Sequence, residues 1–401
     1  MLASAVLVAS TQPLLAGGGG PQLTTIATGL NNPRGLSFGS EGTLYVAEAG
    51  TGAGDGHGGF GTGVGLTGSI TEISHLNSPH PKAHRIVTGL VSFGTAERGP
   101  EVVGADGIDV QGDDDLYVIM AESAPGILAD VPGVDPKLAG QFGQLLKIGE
   151  HGRGKSVADV GSFTYAWTDA HQNDPWAPKE SDNSNQFPDS NPYAVLSSHG
   201  RQYVVDAGAN TVSEVDKTGK IRLIAYLPDP LFPPPAGGPP VIHISDSVPT
   251  CIAEGPDGYL YVGTLAFGAN FARFGGPPLW ATLPKQSKVY RIDPKSNKFF
   301  LTDADVWADD LNPLTGCAFG PDGSLFVTEF LTESTGYTTG DVVKIQRNPN
   351  GTAGARTALG VGALHSPNGL AVGRDGSVYV SNNSTSTGAE ATPGEVVRVN
   401  Y

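Results

Sequence analysis

One short phrase recurs six times along the chain, and it limits the fold more than any other feature. The copies read "RGLSFGSEGTLYV" from Arg34, "DGIDVQGDDDLYV" from Asp106, "NPYAVLSSHGRQYVV" from Asn191, "PTCIAEGPDGYLYV" from Pro249, "TGCAFGPDGSLFV" from Thr315 and "NGLAVGRDGSVYV" from Asn368. Each holds a short apolar strand, a turn built on Asp-Gly or a variant, and a second strand carrying an aromatic-Val or Val-Val pair. Asp-Gly supplies the positive φ that a tight hairpin turn needs, and the flanking alternation marks strands.

Each hairpin is followed by a third strand: "GSITEIS", "GQLLKIG", "NTVSEVD", "SKVYRID", "GDVVKIQ" and "GEVVRVN". Further extended segments such as "HRIVTGL", "KIRLIAYL", "NKFFLTD" and "RTALGVG" provide a fourth. The unit is therefore four antiparallel strands, repeated roughly every 50 to 85 residues, a propeller-like period with loop insertions. Six such units predict an all-β, six-bladed β-propeller. The chain ends on a third strand, and "PQLTTIATGL" near the N-terminus has the character of the missing outer strand. The expected ring is closed by that segment, because an open row of meanders would expose its edges. Residues 21–401 then form a single propeller domain.

Residues 1–20, "MLASAVLVASTQPLLAGGGG", are apolar and end in small residues, though no basic segment precedes them. They resemble the remnant of a secretory signal followed by a linker, so a secreted or periplasmic protein is expected. No later run is apolar enough to span a bilayer. The net charge of −16 repels phosphate backbones, which makes nucleic acid and anionic membranes poor partners. A monomer is expected, with a small molecule, glycan or protein as partner.

Aligning the copies on the aromatic residue of the second strand exposes a polar recurrence. Three residues later stand Glu48, Met120, Asp206, Thr264, Glu329 and Asn382, with Glu122 close behind Met120. Around the start of each first strand stand Asn32, Asp106, Asn191, Asp246, Asn312 and Asn368. In a propeller both sets lie on one face, near the channel mouth. Oxygen ligands without thiols or clustered histidines suit a hard cation, Ca²⁺ above all. The metal-ligand candidates are Glu48, Asp106, Asn191, Asp206, Glu329 and Asn368, with Asn32 and Asp246 on the rim. The same carboxylates could do acid–base work, or simply cap backbone amides at strand ends.

Two insertions carry aromatic residues. Residues 161–190 hold Trp167, Trp176 and His171, the last read as a loop residue; residues 265–287 hold Phe271 and Trp280. These five are further rim candidates, although packing on the body is the first expectation for the aromatics and a solvated loop position for His171. Cys251 and Cys317 occupy one register of neighbouring copies. Adjacent blades should hold that register too far apart for a disulfide, so both are expected as free, buried thiols.

Several phrases resemble the ScyD/ScyE family of secreted bacterial propellers: "GLNNPRGLSFGSEGTLYVAEAG", "DSNPYAVLSSHGRQYVVDAGANTVSEVDKTGKI", "VPTCIAEGPDGYLYVGTL", "KVYRIDP" and "CAFGPDGSLFVTEF". The likeness runs from about residue 25 to the end, and "DSNPYAV…VVDAGAN" is its most specific part. It implies a six-bladed, exported propeller and, for the naming members, late extracytoplasmic steps of pigment assembly. It supplies no catalytic residues. Two readings follow. One is an extracytoplasmic binding or scaffold propeller that engages a small molecule or cation at the channel mouth. The other is a propeller enzyme, either a calcium-dependent lactonase-like hydrolase or an oxidative coupling catalyst. A quinone-dependent dehydrogenase is more distant, since no constellation for that cofactor stands out.

Overall fold

The computed structural model describes residues 22–53, 63–94, 102–112, 115–149, 152–178, 185–229, 245–270, 279–282, 285–332, 339–385 and 392–401. The N-terminal segment read as a signal remnant lies outside them. Among the described residues no helix is long and apolar enough to cross a membrane.

The chain begins with β1 (Leu23–Leu30) and then builds blades in order. Blade 1 is β2 (Pro33–Phe38), β3 (Leu44–Glu48), β4 (Val64–Ser74) and β5 (Lys82–Phe93). Blade 2 is β6 (Ala105–Gln111), β7 (Asp115–Met120), β8 (Gln144–Ile148) and β9 (Gly154–Asp159), with helices α1 (Ala124–Asp130) and α2 (Pro136–Ala139) between its second and third strands. Helix α3 (Val160–His171) leads into blade 3, made of β10 (Pro192–Ser198), β11 (Arg201–Asp206), β12 (Thr211–Val215) and β13 (Ile221–Tyr226). Strand β14 (Ser245–Asp246) precedes blade 4, whose strands are β15 (Pro249–Glu254), β16 (Leu260–Thr264), β19 (Ser287–Ile292) and β20 (Val306–Leu311). An insertion adds β17 (Phe267–Asn270) and β18 (Leu279–Thr282), which pair with each other, β17 also pairing with β14, in a small side sheet. Blade 5 is β21 (Leu314–Phe319), β22 (Leu325–Glu329), β23 (Gly340–Arg347) and β24 (Ala353–Leu364). Blade 6 is β25 (Leu370–Val372), β26 (Val378–Asn382) and β27 (Gly394–Val399), and β1 pairs antiparallel with β27 as its fourth strand.

The architecture is thus a six-bladed β-propeller with four-stranded antiparallel blades. Second strands are buried throughout in blades 1, 4, 5 and 6, because a neighbouring blade covers each face. That is why "LYVAE" and "LFVTE" read as near-continuous apolar runs rather than alternating ones. Six apolar clusters hold the ring, one at each blade interface. At the closing interface, Leu36, Val46 and Ile73 of blade 1 pack against Ala371, Tyr379 and Val396 of blade 6. Each fully buried aliphatic side chain contributes roughly 1.5–3 kcal/mol.

Near the axis the first strands of adjacent blades almost touch. A Cβ on Gly369 would stand 2.2 Å from the carbonyl oxygen of Arg34, and one on Gly316 would stand 2.5 Å from that of Asn368. This close approach overturns the expectation of free thiols. Cys251 of β15 and Cys317 of β21 form a disulfide with a Cα–Cα separation of 5.6 Å. Inner strands converge on the axis, so equivalent positions lie far closer there than at the blade edges. Cys251 also needs Gly263 opposite it, where a Cβ would fall 2.7 Å from its sulfur.

Two segments differ from the sequence expectation. His171 ends α3 rather than sitting in a loop; Asp159 caps that helix by accepting from the Ser162 amide at 2.9 Å. The segment "NKFFLTD" is not the outer strand of blade 4, a role taken by β20. Its Phe299 instead accepts the Tyr226 amide at 2.8 Å, at the edge of blade 3.

Candidate functional site

Antiparallel pairing fixes what faces each second-strand terminus across the third strand. Glu48 faces Ser69, Asp206 faces Thr211, Glu329 faces Asp341 and Asn382 faces Glu395. All lie on the face of the ring where first strands begin, yet their surroundings differ.

Glu48 is fully buried and fully matched. It accepts from Arg85 Nη2 at 2.7 Å and Nε at 3.0 Å, from Thr71 Oγ1 at 2.6 Å and from the Asn31 amide at 2.7 Å. Asp206 accepts from the amides of Asn191 at 2.7 Å and Ala209 at 2.9 Å, and from the hydroxyls of Thr164 at 2.6 Å and Ser190 at 2.8 Å. Burial pushes its pKa up despite these donors. Asn382 accepts the His365 amide at 2.7 Å and donates to Glu395 at 2.8 Å.

Glu329 is different. It accepts from the Asn312 amide at 2.9 Å and from Asn312 Nδ2 at 2.6 Å, but its cross-strand neighbour is a second acid. Asp341 is 4 % exposed. Burial first, and the charge of Glu329 second, push its carboxyl up to about 7, against the opposing charge of Lys285. Asp341 Oδ1 and Asn312 Oδ1 are both buried acceptors with no hydrogen-bond partner among the described residues. Blade 5 therefore gathers two carboxylates and an amide oxygen with too few donors.

The channel is narrow, with a cavity of about 60 Å³ lined by Asp106, Tyr193, Thr250, Thr315, Asn368 and the disulfide. Asn368 of blade 6 donates from Nδ2 to Tyr193 Oη of blade 3 at 2.7 Å, a bond that bridges opposite blades. Thr250 donates to the Leu314 carbonyl at 2.7 Å and Thr315 to that of Pro367 at 3.0 Å, each reaching the next blade. Asp106 accepts the Gly104 amide at 3.1 Å. Asn191 accepts the Glu122 amide at 3.1 Å, and Asn32 donates to the Gly50 carbonyl at 2.8 Å.

A second acidic group lies over blades 2–4. Asn210 Nδ2 donates to Asp246 and, at 3.4 Å, to Asp229, while its Oδ1 accepts the Val248 amide at 2.9 Å. That amide bond fixes which end of Asn210 meets the acids. Gln186 also donates to Asp246. Burial, then the charge of Asp246, hold Asp229 well above the usual carboxylate range. Burial, then Glu122, Asp206 and Asp246, do the same to Asp189. The buried Tyr226 hydroxyl beside Asn210 is held up by burial and by the charges of Asp229 and Asp246.

Trp167, Trp176 and His171 pack into an aromatic cluster beside this group. Trp167 stacks on Trp176 with centroids 5.6 Å apart, and Tyr226 sits edge-on to Trp176 at 4.8 Å. His171 lies 4.7 Å from Trp167, and its Nδ1 is 2.7 Å from the Trp167 carbonyl oxygen. These aromatics mainly pack on one another and on Phe187 and Phe299. Phe271 lies outside the described residues, and of Trp280 only the backbone in β18 is described.

Among the described residues no three His, Cys, Asp or Glu side chains are gathered around one point where an ion would sit. The six residues expected as ligands do not form a single shell: Glu48 belongs to Arg85, Asp206 to its four donors, Asp106 and Asn368 to the channel wall. Residues missed in sequence were Asp341, Asp229, Asp189 and Tyr193. Comparing both strand ends would have found Asp341, because "GDVVKIQ" puts an acid opposite an acid, where other copies pair Glu48 with Ser69, Asp206 with Thr211 and Asn382 with Glu395.

No protein-family model matches the chain, and no curated protein matches it. Solved structures match across nearly its whole length. A PQQ-bound aldose sugar dehydrogenase from Streptomyces coelicolor is 14 % identical, with a TM-score of 0.52, covering 94 % of this chain and 96 % of its own. An oxidoreductase assigned as a glucose dehydrogenase from Thermus thermophilus is also 14 % identical, with a TM-score of 0.51 and coverage of 94 % and 98 %. At this identity the likeness shows the propeller fold alone.

Proposed function

We propose that this chain is an exported binding propeller of the ScyD/ScyE type, and that it takes a hard divalent cation on the face where the first strands begin. The observation that carries the reading is the uncompensated acid pair of blade 5. Glu329 and Asp341 face each other across two strands, and Asp341 Oδ1 and Asn312 Oδ1 lack a donor among the described residues. A buried acceptor without a partner costs about 1–3 kcal/mol, and more when charged. A cation would meet both needs at once. The donor set is all oxygen, with neither thiol nor imidazole, which suits Ca²⁺ and its flexible coordination. Two carboxylates and an amide would hold it, with backbone or water oxygens completing the shell.

Export is supported by the Cys251–Cys317 disulfide, since such bonds persist in oxidising compartments. Thiol titration of the denatured chain without reductant should then find no free thiol. Calcium binding is tested by calorimetric titration of chelator-treated protein. One site is expected, lost in Glu329→Gln and retained in Asp206→Asn. Absence of a binding isotherm up to millimolar Ca²⁺ would overturn the reading.

The enzyme reading has one observation of its own. Asp229 and Asp246 share the Asn210 amide beneath the Tyr226 hydroxyl, and the raised Asp229 suits a group that holds a proton for transfer. A screen of lactones and phenols, repeated with Asp229→Asn, tests it; activity unchanged in that variant would exclude the pair.

A further inference from the structure

The opposite face of the ring holds the larger cavity, about 440 Å³, between blades 4 and 5. Its walls include Tyr259, Arg291, Lys298, Trp307, Arg347 and Asn350. That volume falls in the range of roughly 300–1,000 Å³ typical of small-ligand sites.

The cavity is built around one carboxylate that serves two guanidinium groups. Asp257, in the turn between β15 and β16, accepts on Oδ2 from Arg291 Nε at 3.0 Å, from Arg347 Nη2 at 3.0 Å and from the Tyr261 hydroxyl at 3.0 Å. Arg291 Nη2 approaches the same oxygen at 2.9 Å. Burial would raise Asp257, but Arg291, Tyr261 and Arg347 together hold it below the usual carboxylate range, so it stays charged. Two cations thus share one anion at Asp257, although Asp293 and Asp305 on the wall balance the charge of the whole lining. In the equivalent turn of blade 5, Asp322 pairs with one cation, Lys344, at 2.7 Å. Arg347 comes from the third strand of the neighbouring blade and is the additional partner.

What exceeds its partners is the supply of donors. A guanidinium carries five N–H groups. One carboxylate oxygen serves two of these forks, and among the described residues Arg347 Nε is buried without a partner. At the rim Lys298 pairs with Asp305, while Asp293 accepts only the neutral Lys295 amide at 2.9 Å and keeps its charge. The geometry is held firmly. The Arg291 guanidinium lies 3.5 Å over the Tyr259 ring, and Trp307 Nε1 donates across the interface to the Gly351 carbonyl at 2.9 Å. A Cβ on Gly351 would stand 3.1 Å from Arg347 Nη2, so glycine there keeps the arginine's place open.

We infer that this pocket binds a small hydroxylated carboxylate of the sugar-acid class. Paired guanidiniums match a carboxylate with charge-assisted bonds. The polar edges of Ser296, Asn350 and Thr352 suit hydroxyl groups, and Trp307 gives an apolar wall.

The probe is D-glucuronate, with D-glucose as the uncharged control, titrated into the full chain by calorimetry and by tryptophan fluorescence. Glucuronate binds at least about tenfold more tightly than glucose, as charge-assisted hydrogen bonds would give. Arg347→Gln loses about tenfold or more in affinity while the Arg291–Asp257 pair keeps the fold. Arg347→Lys keeps the charge without the fork and also weakens binding. Trp307→Phe removes the fluorescence change while heat of binding persists. No heat at millimolar glucuronate, equal binding of the two sugars, or Arg347 variants that bind like the parent would each overturn the inference.

Discussion

Glu48 in blade 1 and Glu329 in blade 5 hold one register of one repeat, yet their fates are opposite. Glu48 sits in a closed set of donors with Arg85 at its centre. Glu329 has Asp341 where Glu48 has Ser69, and Ala358 stands near the position that Arg85 fills in blade 1. A recurrent acid is therefore not a recurrent function. In blade 1 it is architecture, tying the second strand to the fourth. In blade 5 like charges directly opposite each other are destabilising, and the Asn312 donors and the charge of Lys285 offset them only in part.

That contrast can be broken most forcefully by removing Arg85. Arg85→Ala strands a fully buried carboxylate, and breaking such a pair typically costs about 3–5 kcal/mol. Arg85 is 38 % exposed, so solvent screening puts the expected loss near the low end, about 3 kcal/mol, read from the denaturant midpoint. A loss below about 0.5 kcal/mol would make Glu48 no better matched than Glu329.

Next in size is Asp341→Asn, with the opposite sign. The folded-state pKa of Asp341 is raised to about 7, so the folded chain binds its proton more tightly than the unfolded chain does. Stability should then fall as pH rises from about 4 towards about 7, and level off above. The full shift corresponds to about 4 kcal/mol; relaxation around the buried charge makes about 2 kcal/mol the expectation. Above pH 7, and without added cation, Asp341→Asn should be more stable than the parent by that amount and should lose this pH slope. A destabilised variant would show that Asp341 already has its partner.

A smaller effect separates Asp206 from both. Asp206→Asn keeps an oxygen for the Asn191 and Ala209 amides but makes the Thr164 and Ser190 hydroxyls turn to accept from Nδ2, and should cost about 1–2 kcal/mol. Its calcium response should match the parent's. Loss of that response would move the cation site from blade 5 to blade 3.

The ring was legible because each blade repeats its own local pattern: apolar strand, Asp-Gly turn, aromatic-Val strand. The turns show why. Gly258, Gly323 and Gly376 all adopt positive φ in equivalent loops, a requirement any reader of "PDG" or "RDG" can see. Helix α3 was not legible, since "VGSFTYAWTDAH" mixes β-branched, aromatic and small residues of modest helix propensity. Its register comes from contacts: Thr164 reaches Ser190 and Asp206, and Thr168 reaches the Asp189 carbonyl. The disulfide was missed because repeat spacing says nothing about how closely inner strands converge. The second-strand acids were readable, but Asp341 opposite Glu329 and the partners of the others were not. Arg85 lies 37 residues beyond Glu48 and meets it only through the fourth strand, while Tyr193 and Asn368 are 175 residues apart. Partnership across a ring is set by closure, which no local window contains.

The cation proposed for blade 5 would bridge Glu329 and Asp341. The direct measurement is the melting temperature of the chelator-treated parent and of Asp341→Asn at pH 8, each with and without millimolar Ca²⁺. The parent should melt several degrees higher with Ca²⁺, by mass action on the folded state. Asp341→Asn should start above the chelated parent and gain nothing from Ca²⁺. A parent indifferent to Ca²⁺, or an Asp341→Asn variant that gains as much from it as the parent does, would contradict the account.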